Sequence, residues 1–184
     1  KFFAKMAKQY AGQDNVIYEI CNEPNGAVTW KKHIKPYAKT IIGTIRKYSK
    51  NAVIVVGTPT WSQDVDVVAQ SPLRSKNVMY ALHFYAATHK EWIQDKLKKA
   101  HKKGLPVMVT EFSICDASGN GALDKASARK WMKLLDKYNI SYTAWSLCNK
   151  NESSALIESS CNKTSGWTRS DLSPAGKWYF DQTK

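Results

Sequence analysis

Apolar residues gather in five short runs: Val16 to Ile20, Ala52 to Gly57, Val78 to Tyr85, Pro106 to Phe112 and Tyr142 to Leu147. Most are apolar at odd and even positions alike. Successive strand side chains point to opposite faces, so such runs predict strands covered on both sides, as in a parallel sheet. Between them the spacing of apolar positions changes to three and four. Val28 to Ser49, a weaker Ser62 to Gln70, Lys90 to Lys103 and Asp124 to Tyr138 predict helices, with Phe2 to Tyr10 before the first strand and Pro174 to Phe180 after the last. Gly104 stops one helix, and Leu105-Pro106 opens the next strand. Strand and helix alternate, which calls for a parallel α/β architecture.

Strand starts recur about every 31 residues, the repeat of a (β/α)8 TIM barrel, in which about 250 residues are shared among eight units. A chain of 184 residues is too short for eight. It holds about strands 4 to 8 with their helices, so the expectation is a single partial (β/α)8 domain over residues 1–184, its N-terminal strands missing. An open barrel has unpaired strand edges and loses interior packing. By itself the chain is therefore expected to be marginally stable and to have little or no activity.

Composition narrows the partners. With 43% apolar residues and mixed charge the chain reads as globular, and no stretch of about 18 uncharged apolar residues predicts a membrane span. The opening KFFAKMAKQY reads as an amphipathic helix; a leader would lie upstream. The net charge of +13 invites a nucleic-acid reading. Yet the lysines are dispersed over several helical segments, at spacings that suit solvent-facing sides, so no nucleic-acid partner is expected. Adsorption to acidic polysaccharide stays open. Cys21, Cys115, Cys148 and Cys161 lack metal-site spacing, and neither metal nor cofactor is expected. Their even count fits bridges or free thiols; Cys148 and Cys161, flanking a polar loop, are the first candidates for a pair.

The candidate chemistry sits at strand ends. Glu23 closes VIYEICNEPNG and Glu111 closes GLPVMVTEF, three units apart, so in a barrel they are expected to face each other across the mouth. Cleaving a glycosidic bond needs such a pair, one carboxyl to protonate the departing oxygen and one to attack the anomeric carbon or activate water. Taken singly, each glutamate could equally be a solvated loop residue. His83 and Tyr85 share a strand face and could be core residues or site residues. Trp61 and Trp145 follow strands, where an indole can stack on a sugar's C–H face; Trp30, Trp92, Trp131, Trp167 and Trp178 are read as packing residues. By parity with Glu23, Glu19 is expected to point into the barrel interior, with its partner in the missing strands.

Five segments, VIYEICNEPNG, VVGTPTWSQDVD, ALHFYAATH, GLPVMVTEFSICDASGNG and AWSLCNKNESSAL, together resemble the C-terminal part of a glycoside hydrolase family 5 endoglucanase, a retaining cellulase. The resemblance implies a secreted enzyme, monomeric when complete, that cuts internal β-1,4-glucosidic bonds of cellulose without a cofactor or membrane partner. It implies Glu23 as acid/base, Glu111 as nucleophile and Asn22 on the sugar 2-hydroxyl. It places Tyr85 against the nucleophile, with His83 near the leaving group. Trp145 would lie beneath the reacting sugar, Trp61 on the leaving-group side, and Lys150 and Glu152 farther out. Ser113 stands where the family commonly has glycine and Asn149 where it often has aspartate. The family's early-strand arginine and histidine are not in this chain. A non-catalytic carbohydrate-binding remnant and a same-clan mannanase or xyloglucanase are the competing readings.

Overall fold

The computed structural model describes residues 1–182. Its elements run α1 (Phe2–Gln9), β1 (Ile17–Glu19), a π-helical turn (Trp30–Ile34) leading into α2 (Lys35–Arg46), β2 (Val53–Val56), the short α3 (Pro59–Ser62) and α4 (Val65–Val68), and β3 (Val78–Tyr85). They continue with α5 (Glu91–Lys102), β4 (Val107–Ser113), α6 (Lys125–Lys137), β5 (Tyr142–Ala144), a 3-10 turn (Arg169–Asp171) and α7 (Pro174–Gln182). The five strands follow chain order in one sheet, and β1–β2, β2–β3 and β4–β5 pair in parallel. These are the alternating units of an incomplete (β/α)8 barrel. Every expected strand is present: β3 matches its apolar run, β4 is displaced from its run by one residue, and β1, β2 and β5 are shorter than theirs. An apolar run marks burial, whereas a strand ends where ladder bonds end.

The chain divides into two compact units, one of Lys1–Leu82 with Lys96–Met108 and one of His83–Asp95 with Val109–Lys184. In the first, Ile54, Val55 and Val56 are all fully buried, which confirms strands covered on both faces. Each such side chain contributes about 1.5–3 kcal/mol relative to exposure. Helix α2 turns Ala38, Ile42 and Ile45 inward, and α1 packs on it. Trp30 meets Tyr80 edge to face with centroids 5.8 Å apart, and its indole Nε1 donates to the Ser71 carbonyl. On the edge strand β1, Tyr18 and Ile20 face the packed side. Glu19 and Ile17 lie on the opposite, exposed face of this edge strand, turned away from the side on which the Tyr18 hydroxyl meets Ser49.

In the second unit Phe84 stacks on Trp131 at 3.9 Å and on Phe112 at 5.2 Å. Helix α6 supplies Trp131 with Ala128, Met132 and Leu135 on one stripe. Its N-cap is Asp124, which accepts from the Ser127 amide at 2.8 Å and pairs with Lys90. The Lys90 hydrogen bond, then the Ser127 amide, hold the Asp124 carboxyl below its ordinary range. All four cysteines are free thiols, so Cys148 and Cys161 are not bridged. The Cys148 thiol lies 3.2 Å from Ser146 Oγ, and that of Cys161 lies 3.8 Å from an Asp171 carboxylate oxygen.

Candidate active site

Glu111 lies inside β4, two residues before its end, and is buried. Between Val109 and Phe112, three steps on β4 pair with the two from Tyr142 to Ala144 on β5, which marks a bulge at Thr110–Glu111. A bulge re-aims side chains, and such devices gather next to active sites. The Tyr85 hydroxyl donates to Glu111 Oε1 at 2.8 Å, and His83 Nδ1 stands 3.8 Å from Oε2. His83 itself is buried and held through Nε2 by Thr110 Oγ1 at 2.9 Å. The structure thus brings together three of the expected residues, His83, Tyr85 and Glu111.

The support behind them was not foreseen. His89 Nδ1 accepts from the Tyr85 amide at 2.8 Å, and its carbonyl accepts from Trp131 Nε1 at 2.8 Å. A core tryptophan therefore fixes the histidine that fixes the backbone of the tyrosine holding Glu111. Only the i, i+4 spacing of Tyr85 and His89 hinted at this. Trp145 begins one residue beyond β5, and its amide donates to the Phe112 carbonyl at 2.8 Å, so it is tied to the residue after Glu111. Its side chain is 43% exposed, available as a platform.

Lys150 and Glu152 lie on the loop after β5. That loop is zipped by Ser146 to Ser154 and Ile157 to Cys148 backbone bonds, and it is fastened to residues 119–120 through the Ser154 and Ser153 amides. Glu152 accepts from Ser154 Oγ at 3.2 Å, and with Lys150 it lines a pocket of ≈ 250 Å³. Asn149 donates from Nδ2 to the Cys161 carbonyl at 3.0 Å, a bond that an aspartate there could not make. Ser113 is buried, with its carbonyl accepting from the Ala86 amide at 2.8 Å.

In the other unit, Glu23 is half-buried four residues past β1, and Asn22 beside it is exposed. The turn after β2 clamps this segment. Trp61 N donates to the Pro24 carbonyl at 3.1 Å, and Ser62 Oγ donates to the Asn22 carbonyl at 2.7 Å. Thr60, Trp61 and Ser62 all have left-handed backbone, with φ of 56°, 54° and 56°. For non-glycine residues that conformation costs about 1–2 kcal/mol each. Bonds from Thr60 Oγ1 to Asp64 and from the Thr58 amide to Ser62 Oγ help to hold it. The result ties Trp61, 49% exposed, to the backbone around Glu23. Gly57 is required there: a Cβ would sit 2.6 Å from the Cys21 carbonyl oxygen.

The remaining tryptophans divide. Trp30, Trp131 and Trp178 are core, as expected; Trp92 and Trp167 are 50% and 38% exposed and lie at the surface, with Trp92 packed edge to face on His89 at 5.7 Å. Trp92 is the second residue of α5, directly after the charged Lys90 and Glu91, and Trp167 sits in a polar loop.

Residues 1–151 match the family model described as Cellulase (glycosyl hydrolase family 5). An endoglucanase of Clostridium saccharobutylicum is 50% identical over 175 residues, covering 95% of this chain but 39% of that protein. A solved structure from Cytophaga hutchinsonii superposes with a TM-score of 0.95 at 43% identity, covering 98% of this chain and 59% of that one. The catalytic domain of a Thermobifida fusca endoglucanase, solved in complex with cellotetraose, superposes with a TM-score of 0.91 at 35% identity, covering 98% and 61%. This chain therefore spans between 39% and 61% of the length of these relatives.

Proposed function

Because the chain belongs to the cellulase family, glycosyl hydrolase family 5, we propose that it carries the two catalytic glutamates of a secreted endo-β-1,4-glucanase that works with retention of configuration. The observation that carries this reading is the buried Glu111 at a strand bulge, held at one oxygen by Tyr85. A carboxylate that is desolvated and oriented, yet still has a second oxygen, suits a nucleophile.

Glu111 attacks the anomeric carbon while Glu23 gives its proton to the departing glycosidic oxygen. Glu23, now a base, then takes a proton from the water that hydrolyses the glycosyl ester. The two carboxyl groups must come within about 5–5.5 Å for this path. Charge develops on the sugar ring as the bond breaks, and Asn22 strengthens its hydrogen bond to the 2-hydroxyl at that moment. His83 acts near the leaving group. Trp145 supports the reacting sugar, Trp61 the leaving-group side, and Lys150 with Glu152 a sugar farther along the chain. The substrate is a β-1,4-glucan. The chemistry is complete with carboxyls and water, so no metal or cofactor enters it, and neither nucleic acid nor membrane is a partner. Among the described residues no helix is long and apolar enough to cross a membrane. The complete protein acts as a monomer, with residues 1–184 as one part of its barrel domain.

The anomeric configuration of the first product tests this reading. Proton NMR of cellopentaose hydrolysis by the full-length gene product is expected to show the β-anomer first, with mutarotation following. Early α-anomer would mean inversion and would remove Glu111 as nucleophile.

A further inference from the structure

A concavity of the first unit lies along α2, lined by none of the residues around Glu23. Lys35, Lys39, Gly43 and Arg46 fall at i, i+4, i+8 and i+11, a stripe that borders the inward Ala38, Ile42 and Ile45, with Ile42 forming part of the groove floor. Segment 70–75, which leads into β3, forms the facing wall. Gly43 leaves open space where a side chain would stand. Together they enclose a groove of ≈ 850 Å³, within the about 300–1,000 Å³ typical of ligand sites.

Four of the eleven lining residues, Lys35, Lys39, Arg46 and Arg74, are cationic and the others are neutral. Two of the four cations are built in. Lys35 Nζ donates to Ser71 O at 2.8 Å and Ser71 Oγ at 2.6 Å, and the Arg46 guanidinium donates to the carbonyls of Ala52 at 2.7 Å and Lys76 at 2.9 Å. These partners fix the side chains without neutralising them. Partial desolvation, then repulsion from Lys39, Arg74 and Lys31, draws the Lys35 ammonium below the ordinary lysine range.

We propose that this groove binds an acidic polysaccharide, a polyuronate whose carboxylates pair with Lys39 and Arg74, with the fixed Lys35 and Arg46 adding positive charge around them. Single-stranded nucleic acid is the less suitable polyanion, because its sites interleave cations with aromatic rings for stacking and no aromatic side chain lines this groove; duplex DNA is an outcome that the binding test distinguishes. Neutral glucan is unsuited for the same reason: it carries no charge to satisfy the cations and finds no ring to stack on. The groove is independent of the glucanase reading. It would hold the protein on a mixed wall polysaccharide by a surface other than the site of cleavage.

The test is binding of the full-length gene product to polygalacturonate by affinity electrophoresis and calorimetry, with fully methyl-esterified polymer and duplex DNA as comparisons. Lys39 and Arg74 are exposed, so Lys39→Glu/Arg74→Glu is expected to keep the fold, checked by circular dichroism. It should weaken polygalacturonate binding at least tenfold, whereas Lys1→Glu/Lys5→Glu, with the same change in net charge, should leave it within twofold. Binding should also weaken with salt and be absent for the esterified polymer. Equal losses in the two variants, undiminished binding by the first, no polygalacturonate binding at all, or tighter binding of DNA through Lys39 and Arg74 would each overturn the proposal. Failure here leaves glucan hydrolysis untouched, because none of these four residues belongs to the cleavage site.

Discussion

The Tyr85 hydroxyl donates to Glu111 Oε1 at 2.8 Å, joining the last residue of β3 to a buried carboxylate on β4. A hydrogen bond to a charged group is worth about 1.5–3 kcal/mol, and each 1.4 kcal/mol is tenfold in rate. Tyr85→Phe should therefore lower kcat about 10- to 100-fold on cellulose oligomers, with KM little changed. A rate within twofold of wild type would mean that this bond does not hold the nucleophile.

Much of this was legible in the sequence. The runs that became β2 and β3 were apolar at both parities because both faces are covered, and that pattern survives without any tertiary knowledge. Glu111, Tyr85 and His83 were findable because strand parity and order place them. What escaped depends on contacts between distant segments. The Glu111 bulge is a matter of register, and the role of His89 needs Trp131 from a helix 42 residues away. The left-handed backbone at Trp61 carries no glycine to announce it, and the exposure of Trp92 and Trp167 follows from what surrounds them, not from residue type.

Two glycines should respond oppositely to alanine. Gly57→Ala puts a methyl group against the Cys21 carbonyl and thiol, 2.6 and 2.9 Å away, and should cost about 1–3 kcal/mol while displacing the Glu23 segment. Gly43 is helical with open space around it, so Gly43→Ala should stabilise by up to about 1 kcal/mol. Urea melts of both variants check the sign; a stable Gly57→Ala would mean that the β2 end and residues 21–24 are not tightly apposed.

Trp61 trades stability for contact. Its φ of 54° suits glycine. Trp61→Gly should keep or raise the melting temperature while weakening oligosaccharide binding several-fold, and Trp61→Phe should fall between. A variant that loses stability but binds normally would assign the indole to packing instead.

The loop around Trp167 should open in acid. Hydrogen bonds from Lys163, then from the Thr168 amide and hydroxyl, push the Asp171 pKa from 3.8 down to about 2. A carboxyl whose folded value is depressed stabilises above its unfolded value, and that contribution is lost as pH falls from about 4 through about 2. The Trp167 indole donates to the Lys163 carbonyl, so its emission reports the loop. Taken as the difference between wild type and Trp167→Phe, that emission should shift across this interval, and in Asp171→Asn it should already be shifted at neutral pH. An unchanged signal would place the loop's stability elsewhere.

The assignment of Glu111 as nucleophile is tested most directly by trapping the intermediate. Incubating the full-length gene product with a 2-deoxy-2-fluoro-cellobioside bearing a good leaving group, followed by peptide mass spectrometry, should find one glycosyl group esterified to Glu111. Glu23→Ala should still accumulate that ester, because an activated leaving group needs no acid and water is left without its base. A label on any other residue, or prompt turnover of the reagent with no covalent adduct, would contradict the account.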